Sequence, residues 1–306
     1  MEQQLSNASD VALEIIADAI RDVDGARRWN FHLLIDPTLV DPLPELECGE
    51  RRRTRVPIDP TLISEAHCPY LVPVREVGRD PLIDAALARA MREVEGDSSL
   101  PAGARSVCAF IAGKASAIEM ARRLARSAIT YSDGERKLFR FWDPRVMDLL
   151  RQFISSDEIS HLILPAERWC WIARGGRAEV LVLDEVLRET MGRDALDTRR
   201  FKHFGRINKV LDALDLDPTS YRNIDCTRID RDIRDGERRW KLQSDYEMVS
   251  YALHSYLVGK NFDNDIEVKR HMEAAVQIGN SPVMALESLD EQFWMAIAER
   301  KGHQGH

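Results

Sequence analysis

The feature that most constrains the fold is a change of pattern near residue 184. Before it, short apolar runs of strand length alternate with stretches of helical periodicity; beyond it only the helical period recurs. Strands mixed with helices, followed by helices alone, predict an α+β protein. The expected organisation is an N-terminal α/β lobe over 1–183, with a mixed sheet and flanking helices, followed by an all-α lobe over 184–306. A chain of 306 residues has room for two such lobes.

In the first lobe, Val11, Ile15, Ile16, Ile20 and Val23 mark one face of a helix over 10–23. Strands are expected over 29–36, 70–74 and 106–112, and Pro73 suggests an edge position for the second. A helix follows the third strand over 115–127. One hairpin turns at Ser132-Asp133-Gly134-Glu135, and a second runs from Trp169–Ile172 across Arg174-Gly175-Gly176 to Val180–Val182. Asp80-Pro81 and Asp143-Pro144 each start a helix, because Asp caps free amides and Pro has no amide to leave unsatisfied. The segment 37–67 is rich in proline and carries Arg51, Arg52, Arg53 and Arg55. It reads as an exposed connection whose like charges form a solvated face, a partner contact being the alternative.

In the second lobe one helical face carries Phe204, Ile207, Leu211 and Leu214, and another Tyr246, Val249, Leu253, Tyr256 and Leu257. A third helix is expected over 264–278. Capping boxes are expected at Ser244/Glu247 and Ser288/Glu291, the latter before Phe293, Trp294 and Ile297. Residues 228–241 alternate acid and base, as a solvated ion-paired surface does.

Charge and motifs narrow the function classes. A formal net charge of −8 argues against non-specific nucleic-acid binding, and no apolar run reaches the length of a membrane span. Met1-Glu2-Gln3-Gln4 lacks the basic start of a signal peptide, so a cytoplasmic location is expected. Cys48, Cys68, Cys108, Cys170 and Cys226 contain no CxxC pair, and neither a disulfide framework, a metal nor a cofactor is expected. No phosphate-binding, nucleophile-elbow or zinc-protease motif occurs. His67-Cys68 is a nucleophile–base pair only if the two side chains meet in space, and His303 and His306 belong to a tail expected to fray. Asp143, Arg145 and Asp148 are the densest charged cluster near a strand end, which keeps a hydrolase or nucleotide-modifying enzyme as the alternative; N-capping by Asp143 is the simpler reading. Trp169, Trp171, Trp240 and Trp294 are candidate partner anchors, with core burial the favoured reading of the first two.

The run Phe139-Arg140-Phe141-Trp142-Asp143-Pro144-Arg145-Val146, behind a hairpin with Asp133-Gly134, resembles the signature of a bacterial domain family. That family, long labelled only a domain of unknown function, contains the type VI secretion effector adaptors, also called effector chaperones. Residues 30–36, 68–72, 106–124 and 165–171 resemble further segments of it in the same order. Trp142 departs from the tyrosine common there, and the Arg51 cluster has no counterpart. The resemblance implies a non-catalytic protein that binds a cognate effector, helps mount it on the valine-glycine-repeat (VgrG) spike, and stays in the producing cell. Arg140, Asp143, Pro144 and Arg145 carry over as signature positions with a fold role. A structural part of the secretion apparatus is a third reading, which a dispersed acidic surface does not favour.

Overall fold

The computed structural model describes residues 11, 12, 14–16, 18, 29–46, 51–75, 79–132, 134–183, 198–216 and 220–302. The protein is α+β. The chain divides into two compact units, Met1–Arg199 with Pro218–Arg222, and Arg200–Asp217 with Asn223–His306.

Unit 1 is built on a six-stranded sheet of β1 (Asn30–Ile35), β2 (Thr54–Arg55), β3 (Tyr70–Val74), β4 (Val107–Gly113), β7 (Arg168–Ile172) and β8 (Ala178–Val182). The strand order is β2-β3-β1-β4-β7-β8. β5 (Ile129–Ser132) and β6 (Glu135–Leu138) form a separate hairpin. Every pairing is antiparallel, so the expected mixed sheet is corrected. Hairpins and antiparallel returns connect all neighbours, and no helix serves as a parallel crossover. β4 is buried at all seven positions, as a central strand covered on both faces must be.

One face packs on helix α1, of which residues 11, 12, 14–16 and 18 are described, and on α2 (Pro81–Glu95). There Leu33, Ile35, Val72, Phe110, Cys170 and Ile172 meet Ile16, Leu82, Ala86 and Leu87. On α1 the buried residues are Ala12 and Ile16, while Val11 and Ile15 face outward; Ile20 and Val23 lie outside the described residues. Alternation sends Leu34, Leu71, Ala109, Ile111, Trp169 and Trp171 to the other face, all buried. That side holds α3 (Ala117–Ser127), α4 (Pro144–Phe153) and α5 (Ser156–Ile163). The last, with a full capping box at Ser155/Glu158, was not foreseen.

Asp80 caps α2 as expected, accepting from the Leu82 amide. Its carboxylate also changes the reading of the basic cluster at one position, Arg51, whereas Arg52, Arg53 and Arg55 are exposed as a solvated face requires. The Arg51 side chain is 6% exposed, and its guanidinium holds both Asp80 oxygens at 2.7 Å. Arg53 pairs with Asp41 and Arg55 with Glu65, so the cluster is matched to acids brought from elsewhere in the chain. Burial alone would push the Asp80 carboxyl up, but Arg51 and the Arg75 and Leu82 amides hold it below the usual carboxylate range. Pro73 lies in an inner strand. β2 is only two residues long and has ended by that point, so the amide that Pro73 lacks faces no strand; its carbonyl accepts from Arg51 at 3.1 Å.

Unit 2 is helical, with no strand among its described residues. It comprises α6 (Phe204–Leu214), α7 (Cys226–Trp240), α8 (Asp245–Val258), α9 (Ile266–Gln277), α10 (Pro282–Glu287) and α11 (Glu291–Gly302). The Ser244/Glu247 capping box is present. Before α11 the Phe293 amide is capped by Asp290 rather than by Ser288, whose hydroxyl donates to the Ala285 carbonyl. On α8 the buried stripe is Met248, Tyr251, Ala252 and Ser255, and Tyr246 and Leu257 are exposed, contrary to the expected face. α7 comes close to that stripe at Gly236, whose missing side chain leaves room for the Tyr251 ring. A Cβ there would sit 2.8 Å from Tyr251 Cδ1 and 3.0 Å from Leu242 Cδ1.

Two glycine substitutions should therefore change stability in opposite directions. Gly236→Ala should cost about 1 kcal/mol net, overpacking outweighing the helix-propensity gain. Gly205→Ala, with nothing within 4 Å of the added methyl, should stabilise by about 0.5 kcal/mol. Urea unfolding of both variants checks the pair of signs.

Candidate functional site

The signature folds into one end of unit 1. β6 ends at Leu138, and the Phe139 amide still reaches the Ala128 carbonyl at 2.8 Å. Two turns follow, Phe141 N to Phe139 O and Asp143 N to Arg140 O, and they swing the aromatic pair inward. Phe141 and Trp142 are both fully buried, edge to face at 5.4 Å, and Phe141 also meets Trp169 at 6.3 Å. β6 stops at Leu138, short of the two rings, which fill the core under the sheet.

Asp143 caps α4 through the Arg145 amide at 2.9 Å, with Pro144 buried at the first helical position. The Arg145 side chain folds back on the same carboxylate, Nη2 to Oδ2 at 2.7 Å and Nε to Oδ1 at 3.1 Å. Burial would push this carboxyl up; the Arg145 hydrogen bonds and charge outweigh it and hold it down. Asp148 is not part of the same constellation. It accepts from Trp171 Nε1 at 2.9 Å and the Arg174 amide at 2.8 Å, and burial pushes its carboxyl up.

The residue that organises the signature is Asp36, at the end of β1. Its side chain is 1% exposed, and Oδ2 accepts from both Arg140 Nη2 at 2.8 Å and Trp142 Nε1 at 2.7 Å. Thr38 closes an Asx turn on Oδ1, and the Asp36 amide donates to Ser106 at the start of β4. In the sequence Asp36-Pro37 reads only as the stop of a strand. Arg105 is the second residue missed. It is bonded to the Ala104 and Glu93 carbonyls, and burial, then the nearby charges of Arg145 and Arg174, bring it down to about 10.

An acid or base that exchanges protons with a substrate needs an oxygen open to it. The oxygens of Asp36 and Asp143 are taken by donors of this chain. His67-Cys68 does not form a catalytic pair either. His67 is exposed with Nδ1 on Ser64 Oγ, while Cys68 is buried and its thiol is pushed up, opposite to what a nucleophile needs. Both line a cavity of about 580 Å³ with Arg53, Arg55 and Glu65. Cys68, Cys108, Cys170 and Cys226 are free thiols; Cys48, His303 and His306 lie outside the described residues. Among the described residues no group of His, Cys, Asp and Glu could hold a metal, and no helix is long and apolar enough to cross a membrane.

Trp169 and Trp171 are each fully buried and offer no surface to a partner. Trp240 and Trp294 are half-buried. Trp240 Nε1 donates to Asp263 Oδ2 at 2.7 Å, beside Arg239 and the Tyr251 hydroxyl on the same fully buried carboxylate. Trp294 packs 4.8 Å from the His254 ring, which burial holds below its usual pKa.

Removing the indole donor by Trp142→Phe should cost about 1–2 kcal/mol. Asp36→Ala, which strands both Arg140 and the Trp142 indole, should cost about 3 kcal/mol. Thermal unfolding of the two variants checks the order, which would be reversed if Trp142 acted only by filling space.

No curated protein and no solved structure matches the chain. The comparison with families does return a match: residues 63–161 of the 306 fit the family described as Domain of unknown function (DUF4123), and that stretch contains the whole Asp-Pro-Arg signature, the hairpin before it and α4.

Proposed function

We propose that this protein is a non-catalytic cytoplasmic adaptor that binds a cognate type VI secretion effector and promotes its loading onto the VgrG spike. The observation that carries the reading is the match over residues 63–161 to a family linked with type VI effectors. It falls on the region whose signature residues resemble the adaptor family's. The geometry supports a scaffold role for them, since Arg140, Asp143 and Arg145 each make hydrogen bonds within the unit. The hydrolase alternative requires Asp143 to face a substrate, and its pairing with Arg145 weighs against that.

An adaptor gains affinity from a few well-packed anchors, not from total contact area. Trp240 and Trp294 in the helical unit remain candidates, being only half-buried. Unit 2 lies beyond the family match, which is where partner choice would be encoded.

Affinity purification of the tagged protein from its native host, with mass spectrometry, tests this reading. One stoichiometric toxin-like protein, or the spike protein, is expected to co-purify, and the effector expressed alone should be poorly soluble. A clean preparation with no partner, repeated with neighbouring genes co-expressed, would leave only the fold and reject the adaptor reading.

A further inference from the structure

The β5–β6 hairpin stands apart from the six-stranded sheet, and its register shows which backbone groups are left over. The Phe139 amide donates to the Ala128 carbonyl at 2.8 Å, which makes those two residues a bonded pair. Bonded and non-bonded pairs alternate along an antiparallel ladder, so Thr130–Lys137 and Ser132–Glu135 are the next bonded pairs. The N–H and C=O groups of Ile129 and Tyr131 therefore point away from β6, and those of Arg136 and Leu138 away from β5. Among the described residues none offers these outward groups a backbone hydrogen bond. A two-stranded ribbon is marginal on its own, and a third strand stabilises it.

The two edges differ in chemistry. β6 carries Glu135, Arg136 and Lys137, all exposed, a run of charge of the kind that keeps other strands off an edge. β5 reads Ile129-Thr130-Tyr131-Ser132, with neither charge nor proline, and Tyr131 is 65% exposed. α3 leads into β5 through Ala128 alone. It carries Arg122 and Arg126, both exposed, and the half-buried Arg123. Among the described residues no carboxylate pairs with any of the three, Glu119 of the same helix included. Burial, and then the Arg126 charge, push Arg123 down, with no acid to offset them. Arg126 is three residues from Ile129, so their Cα atoms lie within about 11 Å. That is close to the Debye length of about 10 Å at 0.1 M salt.

We infer that β5 docks an extended acidic segment of the partner protein, which adds as a third strand beside Ile129 and Tyr131 with its carboxylates near the arginines of α3. A net charge of −8 opposes nucleic acid and acidic peptide alike. The strand edge separates them, because its alternating N–H and C=O groups are matched by a polypeptide backbone and not by a phosphate chain. Among polypeptides, guanidinium groups without a carboxylate of their own favour an acidic one. Main-chain bonding reads little sequence, which leaves the choice among partners to other surfaces. The inference rests on the adaptor reading only for which protein supplies the segment.

The test is a fluorescence-anisotropy titration of the full chain with a labelled short peptide in which Glu alternates with Val. Its Gln counterpart, a fully N-methylated copy and a single-stranded oligonucleotide serve as the other probes. The Glu peptide should bind about tenfold more tightly than the Gln or the N-methylated peptide, the one lacking charge and the other amide donors. Its affinity should fall as salt rises from about 0.05 to about 0.5 M. The variant R122E/R126E should bind the Glu peptide about tenfold more weakly, with circular dichroism unchanged. The N-methylated probe leaves the protein untouched, so it decides the matter even if that variant misfolds. Equal binding by the variant, equal binding of the Gln or N-methylated peptide, or tighter binding of the oligonucleotide overturns the inference. So does a Glu peptide that fails to saturate the protein below about 1 mM. A dimer of the chain alone that Tyr131→Pro dissolves would also overturn it, giving the edge to a second copy. No host partner enters this titration, so its failure leaves the adaptor reading standing, and an empty co-purification leaves the edge standing.

Discussion

A carboxylate taken out of water has to be met by donors, and whatever supplies them becomes fixed in place. Asp36 imposes that condition on unit 1. Its side chain ends β1, draws in Arg140 and the Trp142 indole from more than a hundred residues away, and its amide ties β1 to the residue that opens β4. With Trp142 held, Phe141 lies under the sheet against Trp169, and α4 starts at the residue that follows. The Asp-Pro-Arg sequence then completes the corner, Asp143 capping α4 and Arg145 neutralising Asp143.

The same device recurs. In unit 2 the fully buried Asp263 gathers Arg239, Trp240 and Tyr251, joining the end of α7 and the middle of α8 to the turn before α9. In unit 1, Asp80 at the start of α2 caps it while gripping Arg51, and at the same end of the sheet as Asp36 buried Glu93 takes Arg89 and the Ser106 amide, pinning α2 to β4. Each is a carboxylate at an element end with an arginine from its own helix or from distant chain. Such pairs add little net stability over apolar packing, but breaking one is costly, so they select one register over others. The signature is thereby explained as geometry, in keeping with the scaffold role proposed for it.

Local signals were legible and distant pairings were not. Pro following Asp gave the starts of α2 and α4, and Ser244 with Glu247 gave that of α8, because capping is settled within four residues. Core burial, the favoured reading of Trp169 and Trp171, is what the strand shows, both rings being fully buried. Within the basic cluster only Arg51 departs from the solvated reading, since nothing near it in sequence announces that Asp80 will meet it. α5 escaped notice because eight residues give too short a window for periodicity, despite Ile159, Leu162 and Ile163. On α8 the buried stripe includes Ala252 and Ser255, which a count of large apolar residues passes over, so that count picks the wrong face. Asp36 read as punctuation because only the folded sheet brings it to Trp142.

The claim that the Asp-Pro-Arg signature builds the fold and takes no part in a reaction is tested most directly with Asp143→Asn, which keeps size but weakens the cap and the Arg145 pair. Melting temperature and partner retention should be measured on the same preparations across temperature. If the signature is structural, the midpoint falls and partner retention declines only in step with the folded fraction. A variant that melts like the parent yet has lost all function would contradict it and return Asp143 to the role of a catalytic group.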